Sequence, residues 1–183
     1  MNRPKTVKPI PTVYGGYEFR SRLEARWAYF FDMYKIPYIY EPEGLDLDGI
    51  RYLPDFYLPD CKQFFEVKGI MNDRDFNKIN RLIEAGYSVT VGFNRGIFRA
   101  CDNYEDGYFL TTFESWLCRC HECGKYWFMG SGGGWICQCC GAYDGDHHFD
   151  AIMDSSDPIA WEPAGTARFE FGETPIFLRR SKT

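Results

Sequence analysis

The 183-residue sequence contains no apolar run near the roughly 20 residues that a membrane-spanning helix needs. Nothing in it resembles a secretory signal peptide either: Met1 to Thr12 is polar, proline-rich and carries Arg3, Lys5 and Lys8. Together these absences read as a soluble, cytoplasmic protein with no membrane partner. An excess of basic charge is missing too: 21 Lys and Arg stand against 26 Asp and Glu, a net charge of -5, which argues against a tight, nonspecific duplex binder. The deficit is unevenly placed. Residues 1–100 hold 15 basic and 13 acidic side chains, whereas residues 101–183 hold 6 and 13. No internal repeat and no long disordered tract is visible.

What is abundant is apolar and aromatic. Hydrophobic residues make up 45% of the chain and aromatics 19%, enough to bury the core of one domain plus a small module. Eight cysteines raise the question of disulfides. However, Cys61 and Cys101 stand alone while Cys118, Cys120, Cys123, Cys137, Cys139 and Cys140 crowd together, a placement that points to metal.

Along the chain, an extended arm to about Tyr14 leads to a turn at Gly15-Gly16. Leu23, Trp27, Phe30, Phe31 and Tyr34 predict an amphipathic helix from Ser21 to Tyr34, stopped by Pro37. Strands are expected at Tyr38 to Glu41, Leu45 to Asp48, Ile50 to Leu58 and Gln63 to Lys68, with turns at Asp48-Gly49 and residues 59–62. A second helix fits Asp73 to Ala85 with Gly86 as its cap, followed by a buried strand from Tyr87 to Phe93. This order implies an α/β (α+β) fold, a mixed sheet flanked by helices.

The stretch from Tyr52 to Gly69 carries the chemistry. If residues 59–62 form a four-residue turn, Leu58 faces Gln63 and Asp55 faces Glu66. Facing residues share a side of the sheet with Cβ atoms about 5 Å apart, and Lys68 joins them by the period of two. Phe56, Leu58, Phe65 and Val67 then fall on the apolar side. Two acids side by side repel, and a divalent cation held by their oxygens would relieve that repulsion. A solvated ion cluster is the plainer reading, but the flanking residues are nearly all apolar.

Pro54-Asp55 followed by Glu66-Val67-Lys68 resembles the signature of the PD-(D/E)XK nucleases, and the helix–strands–helix–strand order resembles their shared core. The likeness spans roughly residues 15–95. It implies a restriction-endonuclease-like fold and phosphodiester hydrolysis with magnesium or manganese. Asp55, Glu66 and the Val67 carbonyl would hold the metal, and Lys68 would position the water. Glu24 occupies the place of an acidic residue that many members add from the first helix. Ser21-x-x-Glu24 is also a capping box, so both roles stay open. Asp60, in a second Pro-Asp, sits at the turn and is set aside in favour of Asp55. Arg22, Arg26 and Lys78 are candidate phosphate contacts, or ordinary exposed helix charges.

Cys120-x-x-Cys123-Gly124 and Cys137-x-x-Cys140-Gly141, separated by 13 residues, form a zinc-ribbon pattern. The strands of its hairpin are expected at Lys125 to Met129 and Trp135 to Gln138, with Cys118, Cys139, His121, His147 and His148 as substitute ligands. The ribbon could read nucleic acid, dock a protein on its acidic surroundings or staple a subdomain. Tyr126, Trp127, Phe128 and Trp135 could stack on bases or pack the ribbon.

The expected organisation is an arm at 1–14, a nuclease core at 15–117, a zinc ribbon at 118–142 and a segment of unassigned role at 143–183. A weak hairpin signal lies at Ala167 to Phe171 and Ile176 to Arg179. The function expected by resemblance is a DNA endonuclease of phage, mobile-element or repair type, in a bacterial or phage-infected cell, with homodimers open. The alternative is a non-catalytic nucleic-acid- or protein-binding module, such as a phage-encoded regulator, working through the ribbon.

Overall fold

The computed structural model describes residues 8–47, 49–96, 98–101, 115–130, 136–143, 149–154 and 159–169. The chain opens with a hairpin, β1 (Thr12–Tyr14) and β2 (Tyr17–Phe19), that turns at Gly15 and Gly16, both at positive φ. The arm expected to be extended is therefore, from Thr12, a paired strand. Helix α1 (Arg22–Tyr34) starts where the Ser21 hydroxyl accepts the Glu24 N–H. It does not stop because of Pro37. Lys35 turns left-handed (φ 56°), and the Lys35 and Ile36 N–H groups donate back to the Asp32 and Phe31 carbonyls, which closes the helix two residues earlier.

Next come β3 (Ile39–Tyr40), β4 (Leu45–Leu47), β5 (Ile50–Tyr52), β6 (Phe56–Leu58), β7 (Gln63–Val67), α2 (Asp73–Glu84), β8 (Ser88–Gly92) and β9 (Phe98–Cys101). The single strand expected over Ile50 to Leu58 is two. Pro54 has no N–H to give to a ladder, and the chain changes partners there: β5 pairs with β4, and β6 with β3 and β7. The central sheet runs β3-β6-β7-β8-β9. Only β7 and β8 are parallel, as the α2 crossover between them requires.

Its two faces are covered differently. Phe64, Val89 and Val91 meet Ile79, Leu82 and Ile83 of α2. On the other face Phe56, Phe65 and Phe98 meet Trp27, Phe30 and Phe31 of α1 and Phe128. Rings interlock there: Trp27 lies 4.7 Å from Phe65, Phe65 lies 5.1 Å from Phe128, and Trp161 lies 4.2 Å from Trp27. Phe128 belongs to a second sheet, ordered β11 (Tyr126–Gly130), β10 (Ser115–Arg119), β12 (Asp150–Asp154). The 117/118 boundary falls inside β10, whose Leu117 and Cys118 belong to the same core as α1. From residues 143–183, β12 extends this sheet and the short α3 (Glu162–Thr166) follows the Trp161 that stacks on α1. Residues 170–183, with most of the weak C-terminal hairpin, lie outside the described residues. Among the described residues no helix is long and apolar enough to cross a membrane.

Two buried side-chain details fix how the layers meet. The Gln63 amide donates to the Phe128 carbonyl (3.1 Å) and accepts the Phe128 N–H (3.4 Å), joining β7 to β11. At Gly92, an added Cβ would lie 2.5 Å from the Phe65 ring and 2.6 Å from Trp27. Gly92→Ala should therefore cost about 1–3 kcal/mol of stability through overpacking, measurable by urea unfolding. An unchanged midpoint would mean that this layer is looser than the ring contacts require.

Candidate metal centres

The hairpin register is the one the turn length implied: Phe56 faces Phe65, Tyr57 faces Phe64 and Leu58 faces Gln63. One step further, Asp55 and Glu66 come together, and the Asp55 N–H donates to Glu66 Oε1 at 3.2 Å. Both carboxylates are buried, Asp55 at 5% exposure and Glu66 at 1%. Lys68 Nζ bridges them, 2.7 Å from Glu66 Oε2 and 3.3 Å from Asp55 Oδ2. Val67 enters through its backbone, its N–H donating to Asp55 Oδ2 at 2.7 Å. Sequence reasoning had brought these residues to one place, and the structure does the same.

Glu24 joins from α1, where its capping role is seen and its carboxylate also borders the acidic pair. Its carboxylate accepts the Ser21 hydroxyl at 2.7 Å as part of the cap, and also the Tyr40 hydroxyl at 2.8 Å and the Arg20 N–H at 3.2 Å. Arg20 was not anticipated. Its guanidinium forms an ion pair with Asp55, reaches Glu41 at 2.9 Å and lies 3.8 Å from Glu24. No periodicity marks this residue, because it lies outside the helix and 35 positions from Asp55. Tyr52 was missed as well. Its buried hydroxyl lies beside Glu66, and Lys78 Nζ sits 5.3 Å from the centre of its ring. Thus Lys78 reaches the edge of the site. Arg22 and Arg26 stand one turn apart on α1. Burial and the Arg22 charge both disfavour the charged form of Arg26. Asp60 lies at the far tip of the hairpin, paired with Lys125 at 2.7 Å.

The electrostatics follow from burial. Glu66 is pushed up from the ordinary carboxylate range, first by loss of solvent and then by Asp55, with Lys68 pulling the other way. Burial also raises Glu24, and Asp55 adds to it. For Lys68, burial opposes the charge, but Glu66 and Asp55 overcome it and hold the ammonium protonated well above neutrality. Glu24, Glu41, Asp55 and Glu66 oppose Arg20 and Lys68. If all six are ionised, two negative charges remain, which one divalent cation would balance. Hard carboxylate oxygens are the donors such a cation takes.

No protein-family model, curated protein or solved structure matches this chain.

The second centre is built differently. Sγ atoms of Cys120, Cys123, Cys137 and Cys140 all lie within 4.8 Å of one another, the only such group among the described residues. Cys120 to Cys140 and Cys123 to Cys137 are each 3.8 Å. Tetrahedral zinc with Zn–S bonds of ~2.3 Å separates its sulfurs by about 3.8 Å, whereas a disulfide needs ~2.05 Å. The set is therefore compatible with structural zinc. Gly124 and Gly141 turn at positive φ and donate to the carbonyls of Cys120 and Cys137, which wraps each knuckle around its sulfurs. The substitute ligands fall elsewhere. Cys118 is buried in β10, Cys139 Sγ faces the Tyr126 carbonyl, and His121 pairs with Asp150. His147 and His148 lie outside the described residues.

The hairpin expected between the knuckles needs correction. Tyr126–Gly130 pairs with the upstream Ser115–Arg119, with the first knuckle as their turn, while Ile136 bridges to Tyr143. Trp135 lies outside the described residues. Trp127 and Phe128 are buried in the core.

Serine at Cys120 or Cys137 should release the zinc and destabilise the second sheet. Serine at Cys118 or Cys139 should leave one zinc per chain, countable by metal analysis. The pH response of Glu24 gives a second test. Its folded pKa lies above its unfolded value of ~4.3, so its ionised form opposes folding near neutrality, and that opposition fades as pH falls through the folded pKa. Glu24→Gln should thus be stabilised relative to wild type most at about pH 7 and progressively less towards about pH 4. Denaturation across that range checks it, and a gap that ignores pH would contradict the burial argument.

Proposed function

We propose that the chain is a divalent-metal-dependent nuclease of the PD-(D/E)XK kind, most specifically an endonuclease acting on DNA. The observation that carries this reading is the buried Asp55–Glu66 pair, in register on one sheet face and bridged by Lys68. The parallel β7–α2–β8 unit behind it is the arrangement that a restriction-endonuclease-like core would need. Phage, mobile-element or repair settings are the proposed biological context.

Asp55 and Glu66, with Glu24 and the Val67 carbonyl, would hold magnesium or manganese. Such an ion, when bound, acidifies its water and offsets charge on the phosphate. The protein supplies the rest. Lys68, kept charged by its two acids, orients the attacking water and offers positive charge to the phosphoryl oxygens. Arg20 restrains the Asp55 carboxylate, and through Glu24 it ties α1 to the reacting end of the sheet. Tyr40 and Ser21 hold Glu24 in place. Burial of the set limits competing water, so each charge acts in a medium less polar than solvent.

One observation favours the non-catalytic alternative. Arg20 and Lys68 already compensate Asp55 and Glu66, so the cluster holds together as an ion network in its own right. The experiment is cleavage of supercoiled plasmid, single strands and a four-way junction with magnesium or manganese. Wild type would be compared with Glu66→Gln, Glu66→Ala and Lys68→Ala, with zinc content and thermal unfolding as checks on folding. Metal-dependent cutting should fall at least about a hundredfold in every variant. A folded, zinc-bearing wild type that cuts no DNA or RNA would overturn the nuclease reading and favour the binding module.

A further inference from the structure

Away from the acidic cluster, a cleft of about 240 Å³ opens where the end of α1, the tip of the β6–β7 hairpin and the first cysteine knuckle meet. Tyr34, Lys35, Asp60, Arg119, Lys125 and Tyr126 are among its lining residues. Three of these are cations and one is an acid. Residues 101–183 have only six Lys and Arg against 13 acids, yet two of the six, Arg119 and Lys125, converge here. Lys35 meets them from α1, at the left-handed residue that ends the helix.

Lys125 is paired with Asp60, but Lys35 and Arg119 form no ion pair with any described carboxylate. Both are exposed, so their charges are open to an anionic ligand entering the cleft. Arg119 is also held in place. Its Nε donates to the Gly124 carbonyl at 3.4 Å, and its guanidinium lies over Gly124 of the knuckle. Beside these charges stand two half-buried rings, Tyr34 and Tyr126, edge to face at 5.8 Å.

We propose that this cleft binds a single-stranded stretch of nucleic acid, with phosphates on Lys35 and Arg119 and a base against the Tyr126 ring. Cations that track a backbone, placed next to an aromatic surface, suit an unpaired strand. The volume lies below the ~300–1,000 Å³ of drug-sized pockets, which suits a single base or phosphate seated at a time along a strand. Helix α1 has 13 residues and spans roughly 20 Å, with Glu24 near one end and the cleft at the other. A strand seated in the cleft would therefore lie several nucleotides from the acidic cluster. The cleft's role as a substrate subsite rests on the nuclease reading, but its affinity for a strand does not.

The test is binding of a short labelled oligothymidylate to the full zinc-loaded chain in magnesium-free buffer, over a range of salt. The double variant Lys35→Asn/Arg119→Gln keeps a residue tolerant of left-handed backbone at position 35. Its affinity should fall, and the slope of log affinity against log salt should shrink by about 1.4, or ~0.7 per phosphate contact. Tyr126→Leu should keep the slope yet bind about fivefold more weakly or worse. Wild-type affinity and slope in the double variant would overturn the proposal. So would equal competition by poly-glutamate, which would make the ligand an acidic peptide. Because no cleavage is involved, loss of binding in the variants supports the cleft even if the wild type cuts nothing. Unchanged binding alongside active cleavage would remove the cleft and leave the nuclease.

Discussion

Two carboxylates that face each other across a buried hairpin must be neutralised, and much of the molecule is arranged around that requirement. Lys68, two residues beyond Glu66, meets both acids from their own strand. Arg20 comes from outside, and its position depends on the β1–β2 hairpin and on the start of α1. Glu24 and Tyr40 complete the ring from α1 and β3. Loss of one partner from a buried charge cluster costs about 3–5 kcal/mol in typical cases, because the charge left behind has neither water nor a counterion.

The second sheet is fastened to this frame by few but specific contacts. Gln63, fully buried at the start of β7, exchanges two hydrogen bonds with the backbone of Phe128, whose ring packs against Phe65 and Phe98. Lys125 and Asp60 add an ion pair at the surface, worth little by itself. The four-cysteine centre fixes the turn between β10 and β11, and so stabilises the strand that Gln63 grips. The two centres therefore share a core, though they use different chemistry.

Much of the acidic site was legible because its partners are local. A turn of known length fixes the register of Asp55 and Glu66, and alternation fixes the side on which Lys68 stands. The cysteine knuckles were legible for the same reason, since CxxC spacing is a short-range constraint. Arg20 and Glu41 were not, because their value comes from long-range placement that leaves no period in the sequence. Tyr52 was hidden by the break at Pro54, which puts it on β5 outside the β6–β7 register. Apolar content carried the reading of one strand from Ile50 to Leu58 past Pro54, where the missing N–H decides. The ribbon pairing failed similarly: β11 could be recognised, but its partner, β10, lies upstream of the first knuckle.

The locality of the hairpin also bears on assembly. Asp55, Glu66 and Lys68 lie within 14 residues, so the loop that brings acids and lysine together is short, and closing it costs little chain entropy. The β7–β8 pairing must wait for the α2 crossover, and Arg20 must travel with α1 from further away. The like charges thus share one short segment with their own counterion. A loop that brings the two acids together therefore also brings the lysine between them, an escort carried in the same segment.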